Sequence, residues 1–502
     1  MRRRSVVFLL AAAILMAPGL STAQSLAEFE ARLTEFTLDN GLKFLVFERH
    51  DAPVVSFVTH ANVGSVDEQL GITGIAHVFE HMAFKGTSTI GTKNYREEKK
   101  VLEKIDRVFE ALRREKLRGH LADSARIRQL TEEFARLEEE ADRWIEHDEF
   151  ERAIEKEGGT SLNATTGPDA TRYFYSLPAN KLELWMSLES ERFRDPVLRE
   201  FFREKNVVLE ELRLGQNNPL RRLIEDLQAV AYEVHPYGRP VIGYKSDLEL
   251  MTRQQAYDFF RRYYGANNLT IAIVGDVNPA EVKRLAQIYF GRLPKTSPPD
   301  PVITEEPEQE GERRFELEAA AQPFVIMAFH RPSVNHPDDA VFEVLTDILG
   351  LGRTSRLYTR LVKKEKIAVQ ASAFSGLTGE KYPGLFVCYA VPSRGHSSHE
   401  CEASILDEIE KIKREPVTAE ELQKAKDRAR ANLVRQLQSN LDLAIQLAYY
   451  QVITGDWRNL FKKLDEIQAV TTEDVMRVAK TYLTKRNRTV GHLVPTFQQP
   501  AN

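Results

Sequence analysis

The clearest hydrophobic pattern in the chain occurs twice. Over residues 252–274 (TRQQAYDFFRRYYGANNLTIAIV) apolar positions recur every three or four residues, a polar turn carrying Asn268 follows, and a β-branched run closes the segment. That order predicts an amphipathic helix, a turn and a strand. It returns without gaps over residues 471–493 (TTEDVMRVAKTYLTKRNRTVGHL), an offset of 219, so that Tyr263 meets Tyr482, Asn268 meets Asn487 and Thr270 meets Thr489. A weaker, mostly apolar match sets residues 75–86 (IAHVFEHMAFKG) against 341–352 (VFEVLTDILGLG) at an offset of 266, so the first copy carries an excess of 266 over 219, or 47 residues. Residues 96–157 hold that excess. They are strongly charged, with Leu102, Ile105, Phe109 and Leu112, then Ile127, Leu130, Phe134, Leu137, Ala141 and Trp144 at alternating three and four spacing. The pattern predicts a solvated, coiled-coil-like helical hairpin turning near Gly119 and ending at Gly158-Gly159. Residues 294–313, with Pro298-Pro299, Pro301, Pro307 and a cluster of acids, read as a linker. The expected organisation is a duplicated α+β unit: a first domain over 24–293 with 96–157 inserted, the linker, and a homologous second domain over 314–502.

The first twenty-three residues stand outside this pattern. Arg2, Arg3 and Arg4 precede an apolar run from Val6 to Leu15, and Ser21-Thr22-Ala23 offers small residues before Gln24. This is the form of a cleavable export signal, so the expected location is an exported, periplasmic compartment. No later stretch is long and apolar enough to span a bilayer, and no cysteine follows the signal to accept a lipid. The length of 502 residues exceeds one hydrophobic core, and 42% apolar with 28% charged residues excludes a disordered or fibrous chain. Net charge is −5, or −8 once three arginines leave with residues 1–23, which argues against a nucleic-acid partner. Only Cys388 and Cys401 could form a disulfide, and their spacing leaves one bridge or two free thiols open.

The candidate chemistry lies in His77-Val78-Phe79-Glu80-His81, in a segment that Thr73 can cap at its start and that ends at Gly86. On a helix His77 and His81 are one turn apart and can share a tetrahedral ion, most naturally zinc, while Glu80 projects to the same side as a general base. A zinc site needs a third protein ligand. The segment 203–213 (REKNVVLEELR) supplies Glu204 and Glu211 seven apart on one face, with Glu210 rotated about 100° from Glu211. Spacing alone leaves Glu210 and Glu211 both open as the ligand.

Together these residues resemble the pitrilysin/insulinase family of zinc metallopeptidases, which includes the mitochondrial processing peptidase. The resemblance begins at Asn40-Gly41-Leu42 and Val63-Gly64-Ser65 and is strongest over residues 74–87 (GIAHVFEHMAFKGT). It continues through Asn163-Ala164-Thr165, Tyr173, the Glu204 to Glu211 segment, His235-Pro236-Tyr237-Gly238 and Val274-Gly275-Asp276. It implies two homologous α/β-sandwich halves forming a clamshell, one Zn2+ held by His77, His81 and Glu211, Glu80 as general base, and Glu204 orienting a ligand imidazole. It also implies that Asn163 lies where the family holds the substrate backbone by strand addition.

One departure changes the picture. Family members that act alone carry an Arg and a Tyr seven apart in the second half, and the matching positions here are Lys363 and Gln370. The second half has no metal motif of its own, with Glu343, Thr346 and Asp347 at the matching positions. The expected function is an exported zinc metalloendopeptidase acting on peptides or unfolded segments. Its expected setting is the zinc-bearing subunit of a heterodimer whose zinc-free partner supplies the Arg and Tyr, or else a homodimer or a lone chain. The competing reading is a non-catalytic scaffold or assembly subunit.

Overall fold

The computed structural model describes residues 26–496, so the expected signal over 1–23 lies outside the described residues. Two mixed sheets carry the fold. The first runs β1-β2-β6-β3-β5-β4, built from Leu33–Thr37, Lys43–Glu48, Val54–Ala61, Thr160–Thr166, Thr171–Pro178 and Leu269–Gly275 numbered in chain order. The second runs β7-β11-β8-β10-β9, from Arg313–Ala319, Phe324–Arg331, Ala368–Ser375, Gly384–Pro392 and Arg488–Pro495. Strand for strand, β2, β6, β3, β5 and β4 correspond to β7, β11, β8, β10 and β9. In each sheet the first of these pairs is parallel and the rest are antiparallel.

The repeated segment is used identically in both copies. Thr252 and Thr471 each cap a helix, Arg253–Tyr263 and Thr472–Tyr482, through a reciprocal capping box with Gln255 and Asp474. The amides of Asn268 and Asn487 each donate to the last carbonyl of that helix, Tyr263 O and Tyr482 O, at 2.7 Å. Each amide also ties down the chain at the end of the neighbouring strand, at Asn62 O and His330 O. A short polar side chain that satisfies two carbonyls while the chain turns into a buried strand explains why asparagine recurs at this position.

Each sheet is covered on one face by its own half and on the other by a helix from the opposite half. Leu443, Ala444, Leu447 and Ala448 of the Asn440–Ile453 helix pack on Leu45, Phe47, Val58, Ala272 and Val274 of the first sheet. Leu223, Leu227 and Ala231 of the Pro219–Ala231 helix pack on Ile326, Ala328, Leu385, Val387 and Leu493 of the second. At about 1.5–3 kcal/mol per buried Leu, this exchange is a large share of what joins the halves. Each contiguous half also encloses a core of its own, within 36–293 and 325–490, so these two shared clusters are additional to the halves' separate interiors. Residues 293–312 between them have no regular structure, and β7 begins at Arg313. Cys388 and Cys401 are both buried and free.

The inserted segment differs from a free arm. Helices Tyr95–Lys116 and Ser124–Asp142 form the hairpin, with Gly119 in the turn, but a separate helix, Glu149–Lys156, follows before Gly158. The hairpin also docks on its own half: Phe109 and Phe134 pack against Phe202, and Asp106 pairs with Arg253. Its apolar stripe is shared between its partner helix and the body of the protein.

Candidate metal centre

The two histidines lie on the helix Ile75–Met82. The residue before it, Gly74, has φ +84°, and a side chain there would meet the carbonyl of Ile242. Thr73 does not cap this helix. Its hydroxyl is bound to Asp247 at 2.7 Å and accepts from Tyr244 N, so the two free N–H groups of Gly74 and Ala76 go instead to Glu68, at 2.8 and 2.9 Å. Burial pushes the Glu68 carboxyl up to about 8 against the lowering effect of those two bonds. The helix ends at Met82, earlier than Gly86, and the loop beyond it is fixed by Arg199. That guanidinium donates to the carbonyls of Lys85, Thr87 and Ile90 and pairs with buried Glu98 of the inserted hairpin.

His77 and His81 stand 5.1 Å apart between ring centroids, one turn apart on the same face. The helix Phe201–Gln216 packs beside them and presents Glu204 and Glu211. Candidate ligand atoms of His77, His81 and Glu211 all lie within 4.8 Å of one another, and no other such group occurs among the described residues. His77 Nε2 and Glu211 Oε2 are 3.7 Å apart, too far for a hydrogen bond. Bonds of about 2.0–2.1 Å to a tetrahedral ion would place two ligand atoms about 3.3 Å apart, so this separation fits a shared metal with small adjustment. Glu210 points elsewhere, exposed and bound to Arg213 at 2.6 and 2.8 Å.

Glu204 lies 3.3 Å from His81 Nδ1, which leaves the other ring nitrogen free as a ligand, and Lys85 pairs with the same carboxylate at 2.9 Å. Burial lowers the pKa of His77, whereas the bond to Glu204 raises that of His81. Burial would raise the carboxyl of Glu204, but His81 and Lys85 together hold it below its ordinary value. Glu80 is half-buried on the histidine helix.

Asn163 is exposed on β4, the edge strand beside this helix, and its own Oδ1 accepts from Ala164 N. The strand's outer edge is unpaired among the described residues, and its register shifts between Thr160 and Asn163. Lys363 and Gln370 make their contacts within the second half. Lys363 lies over Tyr358, and Gln370 donates to the Tyr389 hydroxyl at 2.7 Å. The second-half counterpart of the histidine helix, Asp339–Gly350, packs on β9 as Ile75–Met82 packs beside β4, and its Asp347 pairs with Arg428 at 3.0 Å. An ion pair stands there where the first half gathers metal ligands.

Sequence reasoning missed Glu68, Arg199 and the junction between halves, where Asp169 accepts from Tyr237 Oη and from the backbone of Glu380 and Lys381. Only the His-Pro-Tyr-Gly segment, which contains Tyr237, gave any signal of that junction.

The family model described as Insulinase (Peptidase family M16) matches residues 45–112 and 141–245, and that described as Peptidase M16 inactive domain matches 251–429. The gap at 113–140 falls inside the helical hairpin and is narrower than 96–157. The chain is similar to the zinc protease PqqE of Helicobacter pylori, 27% identical over 91% of this chain and 92% of that protein. It is also similar to an uncharacterized zinc protease of Mycobacterium leprae, 24% identical over 92% of each. Among solved structures, a protease from Helicobacter pylori superposes with TM-score 0.77 at 25% identity over 92% of this chain and 99% of that one. A peptidase M16 inactive domain from Pseudomonas fluorescens gives 0.74 at 19% identity over 93% and 100%. With both family models matched in order along one duplicated fold, the chain belongs to peptidase family M16.

Proposed function

We propose that the protein is a zinc-dependent endopeptidase cleaving peptides or unfolded segments. The convergence of His77, His81 and Glu211, with Glu80 on the same helix, carries this reading. His77, His81 and Glu211 would hold the ion, and Glu204 with Lys85 behind it fixes the His81 ring. When bound, zinc supplies Lewis acidity and a lowered pKa for water. Glu80 accepts the proton of the attacking water and returns it to the leaving amine. The free edge of β4 at Asn163 supports an extended substrate laid along the sheet beside the histidine helix. Residues 1–23 support an exported, periplasmic location. Lys363 and Gln370, in place of Arg and Tyr, support a partner subunit that supplies those groups.

Replacing Glu80→Gln tests the chemistry: metal content stays and turnover falls about 10²–10⁴-fold. Unchanged turnover would overturn the assignment. Full peptidase activity of the chain purified without any partner would overturn the heterodimer.

A further inference from the structure

One chain of hydrogen bonds runs from the second half to the start of the histidine helix. The turn joining β4 to β5, residues 167–170, carries Asp169. That side chain accepts from the amides of Glu380 and Lys381 in the second half, at 2.7 and 3.1 Å, and from the Tyr237 hydroxyl. The carbonyls of Gly167 and Pro168 in the same turn accept from the amides of Ser65 and Val66, at 3.2 and 3.0 Å. The fit is close: a Cβ on Gly64 would lie 2.4 Å from the first of those carbonyl oxygens and 2.3 Å from the second.

Beyond Gly64 the chain makes the short helical turn Ser65–Asp67, whose last carbonyl accepts from the Tyr263 hydroxyl at 3.0 Å, and reaches Glu68. Arg239, two residues from Tyr237, donates to the Glu68 carbonyl at 2.8 Å, so the segment that holds Asp169 also grips Glu68 directly. The buried Glu68 side chain then takes the N–H groups of Gly74 and Ala76, and the next residue is His77. Both of its oxygens are used, so the first turn of the helix cannot rotate or slide without breaking a buried bond. An ordinary fold contact lowers stability when broken but leaves the zinc affinity of the folded protein unchanged, because affinity falls only with the fraction of molecules in the binding-competent arrangement. A contact that sets where His77 stands changes that fraction within the folded state.

We propose that Asp169 and Glu68 are positioning residues for the metal centre, through which the second half fixes the His77 imidazole and so contributes to zinc affinity. This rests on the reading of His77, His81 and Glu211 as zinc ligands. Neither residue belongs to that ligand group, and Lys363 and Gln370 take no part in the connection.

The test is the zinc affinity of the full chain, by competition with a chromophoric chelator, together with the visible absorption of the Co2+-loaded protein, which reports ligand geometry. Glu68→Gln sets an amide NH2 against a helix N–H, and Asp169→Asn sets one against a donor at the junction. Each should weaken zinc about 10–100-fold, the scale of losing a group that orients a ligand, and shift the Co2+ spectrum. The double variant should be weaker than the worse single one by no more than about twofold, because both act through one connection. Val282→Ala, fully buried in the helix Pro279–Tyr289 against β2, should lower the urea midpoint and leave zinc affinity unchanged. Wild-type zinc affinity in Asp169→Asn, losses that multiply in the double variant, or an equal loss in Val282→Ala would each overturn the proposal. Should Asp169→Asn fail to fold, Tyr237→Phe removes one donor to Asp169, and wild-type affinity and spectrum there would overturn it instead. Zinc held no more tightly by the wild type than by His77→Ala would overturn the ligand set and this inference with it. Zinc lost in His77→Ala but kept in Asp169→Asn overturns the positioning role alone.

Discussion

Removing the guanidinium of Arg199 should be among the most damaging single changes in the molecule. Its side chain is 1% exposed and its partner Glu98 is 0% exposed, with Nε to Oε1 at 2.9 Å. The same group donates to three backbone carbonyls of the loop after the histidine helix, those of Lys85, Thr87 and Ile90. In Arg199→Met the stem is largely kept, so the loss is electrostatic and not a cavity. Breaking a buried pair from one side costs about 3–5 kcal/mol, because the surviving charge is left uncompensated. Escape by taking up a proton caps that cost, since protonating an ordinary glutamate at neutral pH costs about 4 kcal/mol. The Thr87 carbonyl is buried and those of Lys85 and Ile90 are part-buried, and losing their shared donor adds about 1 kcal/mol. The expected deficit is therefore about 4–5 kcal/mol by urea unfolding at pH 7. The double variant Arg199→Met/Glu98→Gln should recover about 2 kcal/mol, because a neutral amide replaces the stranded charge. The loop carries Lys85, so the single variant should also weaken metal retention. A deficit below about 1 kcal/mol, or a double variant as unstable as the sum of two single losses, would refute the account.

The remaining expectations concern separate links. Glu211→Gln should abolish metal binding by metal analysis while Glu210→Gln, on an exposed residue paired with Arg213, leaves it intact; equal losses would count against the ligand set. Leu447→Ala, fully buried against the opposite half's sheet, should cost about 2–5 kcal/mol and lower both sheets' stability in one transition. Two separated transitions in urea, followed by far-ultraviolet circular dichroism, would contradict it. Burial would raise the Glu402 carboxyl, yet His492 at 3.0 Å and Arg314 hold it down to about 2. A depressed carboxyl stabilises above its unfolded value near 4.5 and loses that contribution as pH falls toward 2. The stability gap between wild type and Glu402→Gln should thus be full above pH 5 and close on acidification; a gap that widens in acid would reverse the sign.

How much of this was legible depends on range. The metal residues were visible because two ligands and the base sit within five positions of one helix, and helical periodicity alone aligns them. The duplication was visible because Asn268 and Asn487 perform the same local task at the same distance from their helices. The cap on the histidine helix was misread because Thr73 has the right chemistry but its hydroxyl is taken by Asp247, which is distant in sequence. The hairpin was misread as solvated because a heptad-like stripe does not say what it faces, and Phe202 claims part of it. The Pro219–Ala231 helix is amphipathic by pattern and Asn440–Ile453 is apolar nearly all round, yet nothing local assigns each to the sheet of the other half.

That exchange of helices has a consequence for how the chain can be cut. The exposed, proline-containing stretch around Pro298 to Glu310 is a natural point of proteolytic nicking. Because each fragment would carry the helix that seals the other's sheet, a clipped chain stays together as a tight non-covalent pair, and neither fragment expressed by itself has a complete interior. Each duplicated half keeps a core of its own and borrows one helix from the other to finish the far face of its sheet.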